Sequence, residues 1–316
     1  MLIVSETEIR ELVDVASARE VIREAFRALH RGTATLPGVI SVPFRDPTGL
    51  AHIKAGHIHE DGTWTVKVAA DFYPEDGSPT VHSGVMFVFD AHDGALACVL
   101  RDNGYLTELR TGAAGAVAAD LLARPDVRTA AIIGAGSQAR FQLEGLVGVR
   151  PIERVHVASR SPERARAFVA EVEERFHLTA HLHESAEEAV ATADVVITAT
   201  PATNPVLRGE WLRAGTHVTA VGSDEPSKRE LATDVFARAS VIAVDDRDQA
   251  ARSGELHHAL DEGVHHVDVV TLGELVDGAA AGRVSAEDVT VADLTGVGVQ
   301  DAAIAAHVFR LAASRR

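Results

Sequence analysis

The sequence predicts an α/β protein built on a doubly wound parallel sheet. Three observations carry that reading. From residue 129 onward, apolar β-type runs alternate with helical stretches. The first of these runs opens directly into a glycine turn. The chain of 316 residues, 46% apolar and 24% charged, has ample material for a buried core. The strand runs cover residues 129–133, 154–158, 195–200, 217–221 and 241–244, with helices between them over 138–147, 162–176 and 186–193. The chain ahead of them reads differently. Ser5-Glu6-Thr7-Glu8 has the pattern of a capping box. Leu12, Val13, Val21, Ile22, Phe26 and Leu29 then recur at mostly helical spacing, so one or two helices fill residues 5–31. Residues 36–100 carry β-type runs at 50–54, 63–69, 81–89 and 95–100. These are punctuated by the turn signals Asp61-Gly62, Asp76-Gly77 and Asp93-Gly94, which points to an antiparallel sheet. An alanine-rich helix spans 107–123 and stops near Pro125. A last helix, 301–314, follows Thr295-Gly296-Val297-Gly298.

Composition excludes several classes. Asp and Glu number 46 against 30 Lys and Arg, a formal net charge of −16, which disfavours nucleic acid and anionic membrane surfaces as partners. The single cysteine, Cys98, sits in an apolar run and reads as a core residue; a disulfide framework within the chain is excluded. Residues 1–8 lack the basic and apolar regions of a signal peptide, and no apolar run reaches the ~18–20 residues of a membrane span. The expected location is the cytoplasm. The close pairs His57/His59, His257/His258 and His265/His266 lack the cysteine or glutamate partners and the spacing of a zinc site, so no metal is expected. A Gly-x-Ser-x-Gly nucleophile elbow and a kinase-type phosphate loop are absent from the sequence.

The most informative stretch is the glycine turn. An apolar strand runs into Gly134-x-Gly136-x-x-Ala139 and then into a helix. The first glycine allows the tight turn, the second admits a pyrophosphate, and Ala139 permits close helix packing. Such a pattern alone is weak; followed by further strand–helix units it reads as a dinucleotide site. The next strand ends in Ser159-Arg160-Ser161. A carboxylate there would read the ribose hydroxyl of NAD. An arginine flanked by serines suits a 2′-phosphate, so NADP(H) is favoured, with NAD(H) as the alternative.

Four segments together resemble the ornithine cyclodeaminase/μ-crystallin family: Val66-Lys67-Val68; the run from Leu106 through Thr107, Glu108, Leu109, Arg110 and Thr111 to Ala114; the turn from Gly134 to Ala139; and the run from Ala220 through Asp224 and Lys228 to Leu231. Asp102-Asn103-Gly104-Tyr105, the segment from Gly254 to His258, and Asp293-Leu294-Thr295-Gly296 resemble its ectoine-utilisation branch, near imine reductases. The resemblance implies a Rossmann-type domain (125–293) inserted in a split α+β substrate and dimerisation domain (1–124 plus 294–316), and a homodimer. It implies a nicotinamide cofactor and a small carboxylate-bearing imino, amino or keto acid as substrate. By the same resemblance Lys67 and Arg110 hold substrate, with Arg110 also at the cofactor junction. Asp224 and Lys67 are the catalytic residues, Asp224 as acid or base and Lys67 as the active-site lysine that contacts substrate. Ser137, Gln138, Ser159, Thr200, Val221 and Lys228 line the cofactor, and Thr295 closes over nicotinamide and substrate. One departure stands out. Family cyclodeaminases carry a carboxylate-binding arginine soon after the first helices, and residues 36–45 lack one in register. Lys54, with Arg45, is expected to take over.

The expected activity is hydride transfer to or from the α-carbon of a small imino or amino acid, as in an imine or iminosuccinate reductase or an amino-acid dehydrogenase. Two other readings stand beside it. One is a cyclodeaminase-type lyase that releases ammonia and recycles bound NAD. The other is a non-catalytic NADP-binding protein like μ-crystallin.

Overall fold

The computed structural model describes residues 1–45, 48–72, 81–264 and 268–316, with residues 81 and 82 described by their backbone alone. The Asp76-Gly77 turn and the His265/His266 pair lie outside the described residues. The chain forms two units, one of Met1–Arg110 with Val297–Arg316 and one of Thr111–Gly296.

The first unit opens with β1 (Leu2–Ser5), α1 (Glu6–Arg10) and α2 (Val15–His30). Both helices start at reciprocal caps. Glu8 N donates to Ser5 Oγ while Ser5 N donates to the Glu8 carboxylate, and Asp14 and Ser17 do the same for α2. The helix α2 buries Ala18, Ile22, Ala25 and Phe26 on one face. Strands β2 (Ala34–Thr35), β3 (Ile40–Arg45), β4 (Thr48–Ile58), β5 (Thr63–Phe72), β6 (Val81–Asp90) and β7 (Leu96–Arg101) follow, then the start of α3 (Tyr105–Leu122). They form a sheet in the order β1-β7-β6-β5-β4-β2, with β3 also paired to β4. All pairs are antiparallel except β1 with β7, where Leu2 aligns parallel to Cys98. The runs expected at 50–54, 63–69, 81–89 and 95–100 pair antiparallel, whereas the strand at Leu2–Ser5 is not among the expected runs; no hairpin links it to β7, so it can add to the sheet edge in the parallel sense.

The second unit continues α3 and adds β8 (Thr129–Ile133), α4 (Ser137–Val147), β9 (Arg154–Ala158), α5 (Pro162–Phe176), β10 (Thr179–Leu182), α6 (Ala186–Val190), β11 (Val195–Thr198) and β12 (His217–Ala220). Then come α7 (Thr233–Arg238), β13 (Val241–Val244), α8 (Arg247–Ser253), α9 (Glu255–Asp261), β14 (Val269–Thr271), α10 (Leu272–Asp277) and β15 (Thr290–Asp293). The sheet is wholly parallel, in the order β10-β9-β8-β11-β12-β15-β13-β14. Alternate residues of β8 feed two separate cores: Ala130 and Ile132 one, Ala131 and Ile133 the other. The sheet is therefore covered on both faces. Strands β11 and β12 end earlier than the apolar runs suggest, because the amides of Thr200 and Gly222 turn to the Glu230 carboxylate.

The chain returns to the first unit as α11 (Gly298–Ser314), which packs on α2, β4 and β5. Its first residue crosses β4 closely: a Cβ on Gly298 would stand 2.3 Å from Ala55 O, and one on Gly56 would stand 2.5 Å from Gly298 O. The division between the units falls inside α3 rather than at its end. Past Arg110 the helix bonds within the second unit: Gln142 Nε2 donates to Thr111 O, and Thr290 Oγ1 to Leu122 O.

Candidate active site

In the second unit, β8 delivers the chain to the glycine turn. Gly134 has φ +120°, and a Cβ there would lie 2.4 Å from Ala199 O, so only glycine fits. Gly136 is the N-cap of α4, has open space where a Cβ would stand, and provides no side-chain cap. The α4 amides are thus left for an anion. The turn lines an open pocket of about 750 Å³ together with Ser159, Arg160, Ser161, Arg164 and Thr200. A strand-end turn, an uncapped helix start and a cation at the end of the next strand fit a dinucleotide.

Around this pocket, buried carboxylates hold the loops. Glu230 is wholly buried and accepts from Thr198 Oγ1 (2.7 Å), Thr200 N (2.6 Å) and Gly222 N (2.8 Å), tying the end of β11 to the end of β12. Glu255, at the start of α9, accepts in turn from Glu230 N and Leu231 N. Asp293, at the end of β15, accepts from Leu256 N. Burial, reinforced by Asp293 and Glu230, pushes the Glu255 carboxyl up to about 8. Burial likewise pushes Asp293 up to about 7, helped by Asp245 and Glu230. Thr295 is held from both sides, donating to Asp245 and accepting from Gln249 Nε2 (2.9 Å).

Of the other expected cofactor residues, Ser137 opens α4, Gln138 accepts from Gln142 Nε2, and Val221 donates its N–H to Thr198 O. Asp224 lies past β12 at the carboxyl end of the sheet and is exposed. It pairs with Lys228 Nζ at 2.7 Å, and Glu225 takes the same ammonium at 3.1 Å. Burial opposes the Lys228 charge, but Asp224 and Glu225 outweigh it and raise the pKa above the ordinary lysine value. Lys228 is thus engaged by carboxylates on its own loop.

The first unit holds the cations. Register places Lys54 on β4 opposite Lys67 on β5, so both point to one face of the sheet. That face is covered by α11, and both side chains are buried, Lys67 to 2% exposure. Lys67 Nζ donates to Asp301 Oδ1 on α11 at 3.2 Å and stands 3.0 Å from Oδ2 in an ion pair. Arg110 Nε donates to Asp301 Oδ1 at 3.1 Å, and Arg110 Nη1 to Gln300 Oε1 at 3.1 Å. Burial brings the Lys67 amine down to about 7, opposed by Asp301 and assisted by Arg110 and Lys54. Burial raises Asp301, but Lys67, Arg110 and Lys54 together hold its carboxyl below the usual range.

The structure does not bring Arg45 to this cluster. It ends β3, exposed and aligned with Thr48, six residues along β4 from Lys54 and so about 20 Å away. Asp301 and Gln300 had no place among the expected site residues. Their signal was an acid and an amide at the start of an otherwise apolar helix, directly after a glycine-rich segment. Cys98 is buried in β7, with its thiol pushed up to about 11 by burial. The ring pair His57/His59 packs at 5.2 Å, and no group of three or more His, Cys, Asp or Glu among the described residues could hold a metal ion. No helix among the described residues is long and apolar enough to cross a membrane.

Residues 1–315 match the model of the ornithine cyclodeaminase/μ-crystallin family. The chain belongs to this family. Three solved structures show how far the likeness extends. Δ1-pyrroline-2-carboxylate reductase of Thermococcus litoralis, in complex with NADH and L-proline, superposes with a TM-score of 0.93 at 30% identity, covering 100% of this chain and 98% of that one. An archaeal alanine dehydrogenase dimer with bound NAD gives 0.91 at 35% identity, covering 100% and 97%. Iminosuccinate reductase of Paracoccus denitrificans, in complex with NAD+, gives 0.91 at 31%, also covering 100% and 97%.

Proposed function

We propose that this family member is an NAD(P)-dependent oxidoreductase that moves a hydride to or from the α-carbon of a small imino or amino acid. The observation that carries the reading is the dinucleotide turn of the second unit; the first unit, by itself, holds a buried, cation-rich cluster that would attract a carboxylate. The dinucleotide lies on the turn from Gly134 to Ala139. The α4 amides take its pyrophosphate, and Ser159, Arg160 and Ser161 take the adenosine ribose. When bound, the nicotinamide supplies or accepts the hydride. Arg110 has committed Nε and Nη1 to α11, and Nη2 is the nitrogen left to meet a substrate carboxylate. Lys67 and Lys54 add charge beside it. Asp224 moves the proton at the substrate nitrogen or at water. Two buried oxygens nearby in sequence, Thr65 Oγ1 and Asp102 Oδ1, have no hydrogen-bond partner among the described residues, which supports a small polar ligand.

Three lysine and arginine side chains against one strongly ionised acid favour a substrate with more than one carboxylate, such as a dicarboxylic imine. Arg160, with Arg164 in the same pocket, favours NADP(H), although the neighbours named above hold NAD or NADH. The first unit serves as substrate and dimerisation domain, the second as dinucleotide domain, in a cytoplasmic homodimer. The test is a screen of imino, keto and amino acids, with ammonia or methylamine, using NADH and NADPH in parallel. Net change in nicotinamide absorbance is the expected result. Ammonia release without net cofactor change would replace this reading with a cyclodeaminase. Arg160→Asp should lower the NADPH-to-NADH preference by about tenfold or more, the worth of one charge-assisted hydrogen bond.

A further inference from the structure

We propose that Asp301 is a positioning residue: the one carboxylate that holds the Lys67 ammonium and the Arg110 guanidinium side by side, so that both meet the carboxylate of the substrate. The inference rests on the function proposed above for those two cations. Asp301 sits on the first turn of α11, 1% exposed, and the cations reach it from two other elements, Lys67 from β5 and Arg110 from α3. The close crossing of Gly298 over β4 lets the first turn of α11 approach the sheet, and the packing of α11 on β4 and β5 holds Asp301 there. Gln300 completes the hold. Its Oε1 accepts from Val297 N at 2.8 Å and from Arg110 Nη1, so the helix start and the guanidinium orient each other.

Among the described residues, the charged groups facing Lys67 are Asp301 on α11, Arg110 on α3, Lys54 on β4 and Asp102 just ahead of α3, while β6 presents Met86. The two cations lower the proton affinity of Lys67, and Asp301 raises it. Without Asp301 a buried lysine beside two cations would shed its proton and its hold on a carboxylate.

The sequence makes this directly measurable. Of its 30 Lys and Arg, three are lysine: Lys54, Lys67 and Lys228. Protein labelled with 13Cε-lysine therefore gives three resonances, and Lys67 is the one lost in Lys67→Met. We expect it to titrate near 7 in the parent protein. In Asp301→Asn it should titrate about 1–3 pH units lower, the effect of removing one adjacent opposite charge. Asp301→Glu should return it toward the parent value. In the same variants KM for the imino or amino acid should rise about tenfold or more, while KM for the dinucleotide holds. An unchanged Lys67 titration with an unchanged substrate KM in Asp301→Asn would overturn the proposal. If Asp301→Asn does not fold, Asp301→Glu decides: Lys67 titrating near neutrality with a raised substrate KM supports it, and a parental KM overturns it. The titration needs no turnover, so a protein inactive on every substrate tried would sink the proposed function while the role of Asp301 is still read from the resonance.

Discussion

The two units bury charge in opposite ways. In the first, Lys54, Lys67 and Arg110 gather near Asp301, and the cations are bound to side chains. In the second, Glu230, Glu255 and Asp293 receive hydrogen bonds from backbone amides and one hydroxyl, with no ion pair of theirs among the described residues. A cation held by a side chain can release part of its hydrogen bonding to a ligand at little cost to the backbone. A carboxylate holding backbone amides cannot, because its loss leaves buried donors unmet. The first cluster is thus suited to meeting a ligand, and the second to fixing loops around one.

The sharpest way to break that contrast is Lys67→Met. Activity should fall by ~10²–10⁴-fold, while the melting temperature falls only modestly, since Asp301 loses one buried partner but keeps the Arg110 guanidinium. A large loss of melting temperature would mean the cluster is structural after all. Glu230→Gln should behave the other way round. An amide puts an NH2 in place of one of the two accepting oxygens, so at least one of the three donors loses its acceptor, costing about 1–3 kcal/mol of stability. It should raise KM for the dinucleotide and leave KM for the imino acid alone. Calorimetry and steady-state kinetics on the same preparation check both halves.

The smallest effect is in pH dependence. Glu255 is raised to about 8 from an ordinary carboxyl value, so the folded protein keeps its proton where the unfolded chain has lost it. Its contribution is present at acid pH, declines above the unfolded value, and is lost as pH rises through about 8. Comparing melting temperatures of the parent and Glu255→Gln from pH 5 to pH 9 isolates it, with the variant gaining on the parent as pH rises. A constant difference would show that Glu255 is ionised in the fold throughout that range.

Much of this was legible in the sequence because it is local. The strand β8, its turn and α4 are contiguous, and each glycine reports a backbone constraint at its own position. Lys67 and Arg110 stood out within short motifs. Asp301 did not, because it meets its partners 234 and 191 residues away in sequence, and only the packing of α11 brings it there. The parallel edge of β1 and the seating of β15 between β12 and β13 were hidden for the same reason: alternation marks a strand but does not name its neighbours. Arg45 misled because sequence proximity to β4 hid the six residues of strand that separate it from Lys54.

One consequence reaches beyond catalysis. With arginine supplying the surface cations, and Lys54 and Lys67 buried, the outer face offers acylating and cross-linking reagents little beyond the α-amine of Met1 and the half-buried, carboxylate-paired Lys228. Active esters and aldehydes, which decorate most proteins indiscriminately, would here react slowly. The rate at which they modify Lys54 and Lys67 would clock how often the interior around those two opens to solvent.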